Sequence, residues 1–469
     1  MSVSRRDFLK GAGALTAAPL LAELAGRCEA TEVLKRPNIL FFFPDQHRFD
    51  WVGPTPEIPV RTPHLDALSA RGVRFTRAFC PSPLCAPSRA CLAACREYDR
   101  CGVSGNDVDY PLSQKSIYAS LRDAGYHVMA CGKLDLSKRS GDWGIRGDRH
   151  LAEWGYSDGI NSAGKWDAFS SGKVEPQDPY MAFLHKEGLA EMHLADYKRR
   201  RENQFTTTFP TPLPEAAYGD NWVADNGLDL LARAPTGKPW FLMVNFPGPH
   251  PPMDITRKMD ALYSAVDFPQ PNGNDRYAPE VHVAIRRNYS AMIENIDRLL
   301  GVYLEELGKR GELEKTLVVF SSDHGEMLGD HNLWGKTKPY QPSVGVPLTV
   351  AGPDVARGTT LRAPVSLIDL AATFVEFGGA EPPPESEGRS LAPLLRGDTE
   401  KHREVVFSGL HGWREAFDGR YKLILGYDEE GPLLFDLDED PLENRNLASA
   451  APNEVRRLTE AIREGLGFG

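Results

Sequence analysis

Cys85-Ala86-Pro87-Ser88-Arg89-Ala90-Cys91-Leu92-Ala93-Ala94-Cys95-Arg96 reads as a nucleophile set at the entrance of a helix. Proline is tolerated in a first helical turn, where its missing N–H costs nothing, so Pro87 predicts a helix over residues 88–95. The free N–H groups of that turn would face Cys85 and favour an anion there. Arg89 adds a rigid fork of positive charge. A thiol so placed is expected to have a lowered pKa. Taken alone, the stretch is read more readily as a buried structural cysteine beside a helix cap. What decides between the two lies elsewhere in the chain.

Residues 73–79 read as a strand leading into this loop, and residues 63–69 as a short helix capped by Thr62. Residues 38–43, Asn-Ile-Leu-Phe-Phe-Phe, form a continuous apolar run ending in Pro44-Asp45-Gln46. Such a run is the pattern of a strand buried on both faces. Residues 126–131, 240–246 and 316–321 repeat it, ending in Gly132-Lys133-Leu134-Asp135, Pro247-Gly248-Pro249-His250 and Ser322-Asp323-His324-Gly325-Glu326. Helices are predicted over 116–124, closed by Gly125, and over 288–308, whose apolar stripe includes Tyr289, Met292, Ile296 and Leu300. Residues 137–235 read as insertion loops over one face. Alternating strands and helices imply an α/β fold with a mostly parallel sheet covered on both faces. Pro382-Pro383-Pro384 marks a boundary. A catalytic domain over 36–384 is expected, then a C-terminal subdomain over 385–469. Residues 404–407, 416–425 and 433–436 in that subdomain read as a small antiparallel sheet, and 453–466 as a closing helix.

The N-terminus, Ser4-Arg5-Arg6-Asp7-Phe8-Leu9-Lys10 followed by a small-residue apolar run, has the pattern of a twin-arginine export signal. Cleavage is expected near Cys28-Glu29-Ala30, without lipidation, so residues 1–30 carry no fold argument. The chain is expected to leave by the twin-arginine export machinery and to end periplasmic or secreted. No later stretch is long and apolar enough to span a bilayer. Formal net charge is −11 over 469 residues, which argues against a nucleic-acid partner while leaving room for a local basic pocket. Of seven cysteines, five lie between Cys80 and Cys101, none in C-x-x-C pairs. A zinc site is therefore not indicated, and disulfide pairing among Cys80, Cys91, Cys95 and Cys101 stays open.

In open α/β sheets, ligands sit beyond the carboxyl ends of the strands. Asp45, Lys133, His250 and Asp323-His324, far apart in sequence, should therefore converge on the Cys85 loop. Taken one at a time, each is as readily a turn, cap or solvated residue. The same holds for Lys138, Lys165 and Arg414, read here as solvated charges with substrate contact as the alternative. Asp330-His331 reads as a structural pair.

Cys85-Ala-Pro-Ser-Arg89 resembles the C-x-P-S-R signature of the type I, formylglycine-dependent sulfatases of the alkaline-phosphatase-like superfamily. Downstream this chain has Leu92-Ala93-Ala94-Cys95-Arg96 where the family has Leu-x-Thr-Gly-Arg. The likeness extends over nearly the whole mature chain. Pro37-Asn38-Ile39-Leu40 with Asp45-Gln46 and Ser322-Asp323-His324-Gly325-Glu326 are similar to the family's two metal-binding segments. Gly335-Lys336-Thr337 resembles its second sulfate-binding lysine segment. Arg420-Tyr421-Lys422 and Phe435-Asp436-Leu437 resemble its C-terminal subdomain.

The resemblance implies an alkaline-phosphatase-like fold and hydrolysis of a sulfate monoester on a small molecule or saccharide. Its nucleophile is a hydrated aldehyde made from Cys85 by a cytoplasmic maturation enzyme before export. It assigns Asp45, Gln46, Asp323 and His324 to a divalent metal. Mostly oxygen donors suit Ca²⁺ best, while His324 leaves Mn²⁺ or Mg²⁺ open. Arg89, Lys133 and Lys336 would hold the sulfuryl oxygens, and His250 would meet the leaving oxygen or the sulfate. Most of the family has Gly-Lys-x-His where this chain has Gly132-Lys133-Leu134-Asp135, a variant similar to arylsulfatase K-like members. Asp135 is accordingly expected to act as base when sulfate leaves, or else to cap the following turn or pair with Lys133. Two rivals remain: a phosphomonoester or phosphonate ester hydrolase of the same superfamily, and a non-catalytic relative with Cys85 unconverted.

Overall fold

Asn38–Phe42 forms β1, and both of its faces are buried. Ile39, Phe41 and Phe43 enter one apolar core, Leu40 and Phe42 the opposite one. That alternation makes the strand central, with helices on each side. The computed structural model describes residues 36–273, 276–429 and 431–468; the export signal read over 1–30 lies outside them. Residues 37–469 form one compact unit.

The other strands of the main sheet are β2 (Val73–Phe79), β3 (His127–Gly132), β4 (Asp158–Asn161), β5 (Trp240–Asn245), β6 (Thr316–Ser321), β7 (Gly345–Ala351), β8 (Thr359–Leu361) and β9 (Val365–Ser366). Their order is β4-β3-β5-β1-β6-β7-β2-β8, with β9 beside β2. β7 is antiparallel to both β6 and β2, and the remaining pairs are parallel. The expected architecture is therefore present, with one reversed strand. β7 escaped the sequence reading because Pro347 sits in its interior, where a proline argues against a central strand.

One core packs the Cys85–Ala94, Ile117–Asp123 and Leu367–Gly378 helices against the sheet. The other packs the Gly219–Arg233 helix and the Ile296–Leu307 part of the Pro279–Lys309 helix. This long helix starts nine residues earlier than its apolar stripe suggested. Its first turns bury polar His282, Arg286 and Asn288, which hide the periodicity. Residues 137–235 are not loops alone. They hold β4 and helices at Leu151–Trp154, Lys165–Ser171, Pro179–Lys186, Ala190–Arg200 and Gly219–Arg233. Buried polar groups such as Asp196 and Arg200 interrupt the apolar pattern there. Thr62 precedes the Pro63–Ala70 helix without capping it. Its hydroxyl accepts from Gly53 N and donates to Asp66.

β10 (Val406–Leu410), β11 (Trp413–Phe417), β12 (Tyr421–Asp428) and β13 (Gly431–Asp436) form a separate antiparallel sheet in that order. The single strand expected over 416–425 is split by a turn at Asp418, whose carboxylate accepts from Arg420 N and Tyr421 N. The Pro452–Leu466 helix covers this sheet through Leu458, Ile462 and Leu466. The six cysteines among the described residues are all free and buried.

Asp369 ties the segment beyond the proline run to the main body. Its carboxylate caps its own helix at Ser366 N and accepts from Arg389 N and from Arg403 Nε and Nη2. Burial alone would raise its pKa, but His402 and Arg403 outweigh burial and hold it below the usual range. Its stabilisation is therefore complete above the unfolded carboxyl pKa of ~3.9 and is lost as pH falls through the lower folded value. Asp369→Ala is expected to cost about 3–5 kcal/mol, because it leaves the half-buried Arg403 without its carboxylate and removes the cap at Ser366 N. A fall in the denaturant midpoint at unchanged slope checks it.

Candidate active site

The four central strands β3-β5-β1-β6 are neighbours, and each ends in a polar residue of the site. Asp45 follows β1, Lys133 β3, His250 β5, and Asp323-His324 β6. The predicted convergence is found. Asp45, Cys85, Asp323 and His324 offer ligand atoms that all lie within 4.8 Å of one another, and all four residues are buried. Lys336 Nζ sits 2.8 Å from Cys85 Sγ and 3.9 Å from Asp45 Oδ1. His324 Nε2 is 3.3 Å from the same sulfur. Lys133 Nζ pairs with Asp45 Oδ2.

The Cys85–Ala94 helix begins three residues earlier than Pro87 suggested. Ser88 N donates to Leu84 O at 2.9 Å, so the proline takes the third helical position. That position still lies within the first four, whose N–H groups have no partner inside the helix. Burial and Asp45 push the Cys85 thiol up, but Lys133, Lys336 and His324 prevail and its pKa is lowered. The direction agrees with the sequence reading, while the named cations are the two lysines and His324. Arg89 is bound through Nε and Nη1, while its buried Nη2 has no hydrogen-bond partner among the described residues. Its Nε donates to Asp323 Oδ2 at 2.9 Å, and its Nη1 donates to Lys133 O and Asn245 Oδ1 at 2.6 and 2.9 Å. Ser88 Oγ donates to Asp323 O at 2.6 Å. Helix, β3, β5 and β6 are thus joined at one point. Gly132, at φ +98°, permits this closeness, since a Cβ there would lie 2.0 Å from Asn245 O.

Asp135 pairs at 3.0 Å with both Lys133 and Lys138. Burial opposes its ionisation, but the two lysines hold its pKa well below the usual carboxylate range. Lys138 also meets Asp167 at 2.6 Å. The solvated charges expected at Lys138, Lys165 and Arg414 are instead inside the protein: Lys165 pairs with Asp254 at 2.7 Å and Arg414 with Asp99. Each is held by a carboxylate, and for Lys165 and Arg414 that carboxylate lies far off in sequence. Asp330 has the structural role expected of it, pairing with Arg48 and Arg286. His250 Nδ1 hydrogen-bonds to Pro251 O. Burial and the charge of Lys336 hold its pKa well below the usual histidine value, so the ring is neutral.

The donor set fits a hard divalent cation. Two carboxylates, one imidazole nitrogen and residue 85 surround one point. His324 Nδ1 bonds to Gly325 O at 3.0 Å, which leaves the Nε2 lone pair for the cluster. Gln46 donates its Nε2 to Glu326, and its buried Oε1 has no hydrogen-bond partner among the described residues. That oxygen is the atom Gln46 can offer. Sequence reasoning gave no role to Asn245, Glu326 or Asn106, which accepts from Ala86 N at 3.1 Å. Asn245, a polar residue ending a buried strand, carried the signal used for its neighbours.

Residues 37–380 match the Sulfatase family, and residues 329–466 match the C-terminal region of N-sulphoglucosamine sulphohydrolase. Residues 2–22 match the twin-arginine translocation signal, which takes the chain across the cytoplasmic membrane to the periplasm or outside the cell. An arylsulfatase of Clostridium perfringens is 27% identical, covering 90% of this chain and 92% of its own. A choline-sulfatase of Rhizobium meliloti is 29% identical over 90% and 85%. Two solved structures share the fold. A phosphonate monoester hydrolase of Silicibacter pomeroyi has a TM-score of 0.77 at 23% identity, covering 92% of this chain and 96% of that one. A protein in complex with its substrate D-glucosamine-2-N,6-O-disulfate has a TM-score of 0.73 at 19% identity, covering 92% and 97%.

Asp323→Ala is expected to lower bound divalent metal per chain by more than about tenfold, since second-shell losses alone reach that size. Elemental analysis of purified protein checks it; full occupancy would contradict the assignment.

Proposed function

The chain belongs to the sulfatase family, and from that premise we propose that it hydrolyses a sulfate monoester on a carbohydrate, with Cys85 oxidised to formylglycine as the source of the nucleophile. The observation that carries this reading is the single cluster of Cys85, Lys336 Nζ at 2.8 Å, His324 Nε2 at 3.3 Å and Asp45 at the ends of adjacent strands. When present, a divalent cation (Ca²⁺ the expected ion) polarises the sulfuryl oxygens, and the hydrated aldehyde supplies one hydroxyl for attack and a second for expelling sulfate.

The chain's own residues do the rest. Lys133 and Lys336 flank residue 85 and bind the sulfuryl oxygens, stabilising the charge that develops on them. Asp45, Asp323 and His324 hold the cation, with Gln46 beside them. Arg89 is a positioning residue that fixes Asp323 and the end of β3. His250 meets the leaving oxygen. Asp135 orients Lys133 and Lys138 through its two ion pairs. Both pairs use Oδ2, and its buried Oδ1 has no hydrogen-bond partner among the described residues, so Oδ1 is the atom that would serve as base for the second step with both pairs kept. Because the twin-arginine route exports folded protein, conversion of Cys85 takes place in the cytoplasm. The carbohydrate class is supported by the fold neighbour solved with a disulfated glucosamine.

A phosphonate ester is the alternative substrate, favoured by the fold likeness to the phosphonate monoester hydrolase. Purified protein assayed on aryl sulfate and aryl phosphonate separates the two, and turnover of the sulfate at least about tenfold faster is expected. Cys85→Ala should lower sulfate turnover by at least about a thousandfold with the fold intact. The intact mass of the residue 85 peptide should be that of the aldehyde; a thiol mass would remove the nucleophile from the reading.

A prediction for the pH profile follows from Asp135. Its low pKa keeps it ionised throughout the neutral range, so Asp135→Asn should lower kcat at every pH from about 5 to 8 without moving the acid limb. An acid limb that shifts in the variant would make Asp135 a titrating catalytic group. Steady-state rates across pH check it.

A further inference from the structure

The loop after β5 reads Pro247-Gly248-Pro249-His250-Pro251-Pro252 and carries His250 to the site. Proline has no backbone N–H, so in this run only Gly248 and His250 can donate from the main chain. Both backbone groups of Gly248 are used. Its carbonyl accepts from Asp45 N at 3.1 Å, and its N–H donates to Asp220 Oδ1 at 2.8 Å. Pro249 then forms a parallel bridge with Asp45. A single glycine, two positions before His250, thus links Asp220 to Asp45.

Asp220 lies in the first turn of the Gly219–Arg233 helix and is 1% exposed. The fit is close. A Cβ on Gly248 would collide with Asp220 Oδ2, so the glycine is what lets the carboxylate approach. The far side of the loop is held by other groups. Lys165 Nζ donates to Pro252 O at 3.3 Å and to Asp254 Oδ1 at 2.7 Å. Asn288 Nδ2 donates to Met253 O at 2.6 Å, and Tyr218 Oη donates to Asp254 O at 3.0 Å. All of these contacts fall after His250. Before it, the side-chain grip is that of Asp220.

This carboxylate is costly to bury. Its Oδ2 has no hydrogen-bond partner among the described residues. Burial pushes its pKa up to about 6, although Lys165 and the Gly248 N–H oppose that shift. An interior carboxylate with one oxygen left unsatisfied points to a task for the oxygen that is bonded. Asp45 N has a second acceptor in Phe246 O, also at 3.1 Å. Loss of Asp220 should therefore free residues 248–250 while Asp45 stays in place.

We propose that Asp220 is a positioning residue, which sets His250 against the leaving oxygen of the ester by holding the Gly248 N–H. Its oxygen, not its charge, does the holding. The task of His250 rests on the sulfatase reading above, whereas the hold on the loop is independent of it.

The test compares wild type with Asp220→Ala and Asp220→Asn in the full-length chain. Alanine leaves the Gly248 N–H buried without an acceptor, while asparagine keeps an accepting oxygen. Hydrogen exchange across 247–252, where only Gly248 and His250 carry an N–H, reports the hold without turnover. It should quicken at least about tenfold in the alanine variant and stay within about threefold of wild type in the asparagine variant. Turnover is read on 4-nitrophenyl sulfate and on phenyl sulfate, whose more basic alcohol needs more help to leave. Asp220→Ala should lower kcat at least about tenfold more on phenyl sulfate, with both KM values within about threefold, and asparagine should restore both rates. A general loosening of the fold would lower the two rates alike. If Asp220→Ala does not fold, Gly248→Ala breaks the same contact from the other side and should give the same pattern. Unchanged exchange, equal losses on the two esters, or an asparagine variant that behaves as alanine does would each overturn the proposal. If wild type hydrolyses neither ester while exchange still depends on Asp220, the sulfatase reading fails and the hold on the loop stands.

Discussion

A buried guanidinium joins three strands at the floor of the active site. Arg89 is 2% exposed and directs three of its N–H groups to Asp323, to the carbonyl that ends β3 and to Asn245 at the end of β5. Its plane also rests on Phe43, with the guanidinium carbon 5.0 Å from the ring centre. Removing one partner of such a pair strands the other charge, at a cost of about 3–5 kcal/mol. Lysine could not replace it, because one ammonium cannot span acceptors on three strands. Since Arg89 sits one helical turn after Cys85, the same contact fixes residue 85 against Asp323 and the rest of its cluster. Stability of the sheet ends and geometry of the site are one constraint here.

Charge balance explains why so many ionised groups tolerate burial together. Asp45, Asp135, Asp167 and Asp323 face Arg89, Lys133, Lys138 and Lys336, four of each sign. No member is isolated, so none carries the full penalty of desolvation. A divalent cation in the site proposed for it would leave surplus positive charge, and an anionic ester is what that surplus would attract. The neutral state of His250 belongs to the same balance, since a further positive charge beside Lys336 is disfavoured.

The strand-end residues were legible in the sequence because burial on both faces leaves a long apolar run with nowhere else to put polar groups. Asp45, Lys133, His250 and Asp323 were found by that rule, and Asn245 would have been had it been applied one residue earlier. The central helix of residue 85 was legible in kind but not in phase, because a proline is tolerated at any of the first four positions. What stayed hidden has a common cause. In 137–235 and in the first turns of the Pro279–Lys309 helix, buried residues such as Asp196, Arg200, His282 and Arg286 are polar. Asp196 and Arg200 pair with each other one turn apart, as residues on an exposed helix face also do, while His282 and Arg286 meet partners elsewhere in the fold, so no local pattern marks them as interior. Lys165 and Arg414 read as solvated because Asp254 and Asp99 lie far from them in sequence.

Backbone strain at the site shows which preference yields to which. Gln46, Asp135 and Thr337 have φ of 70°, 54° and 75°, each within two residues of Asp45, Lys133 or Lys336. A side chain in this region costs on the order of 1–3 kcal/mol and persists only where the surroundings over-determine it. They do so here. Gln46 N donates to Asp323 Oδ1 at 3.0 Å while its carbonyl accepts from Tyr289 Oη at 2.6 Å. Thr337 N donates to Pro83 O at 2.9 Å, and Asp135 is gripped by two lysines. Glycine would relieve the strain at each position, but Gln46 would then lose its bond to Glu326 and Asp135 its hold on the lysines. The side-chain bonds outweigh the local backbone preference, so a reading based on propensity fails at the residues whose bonds assemble the site.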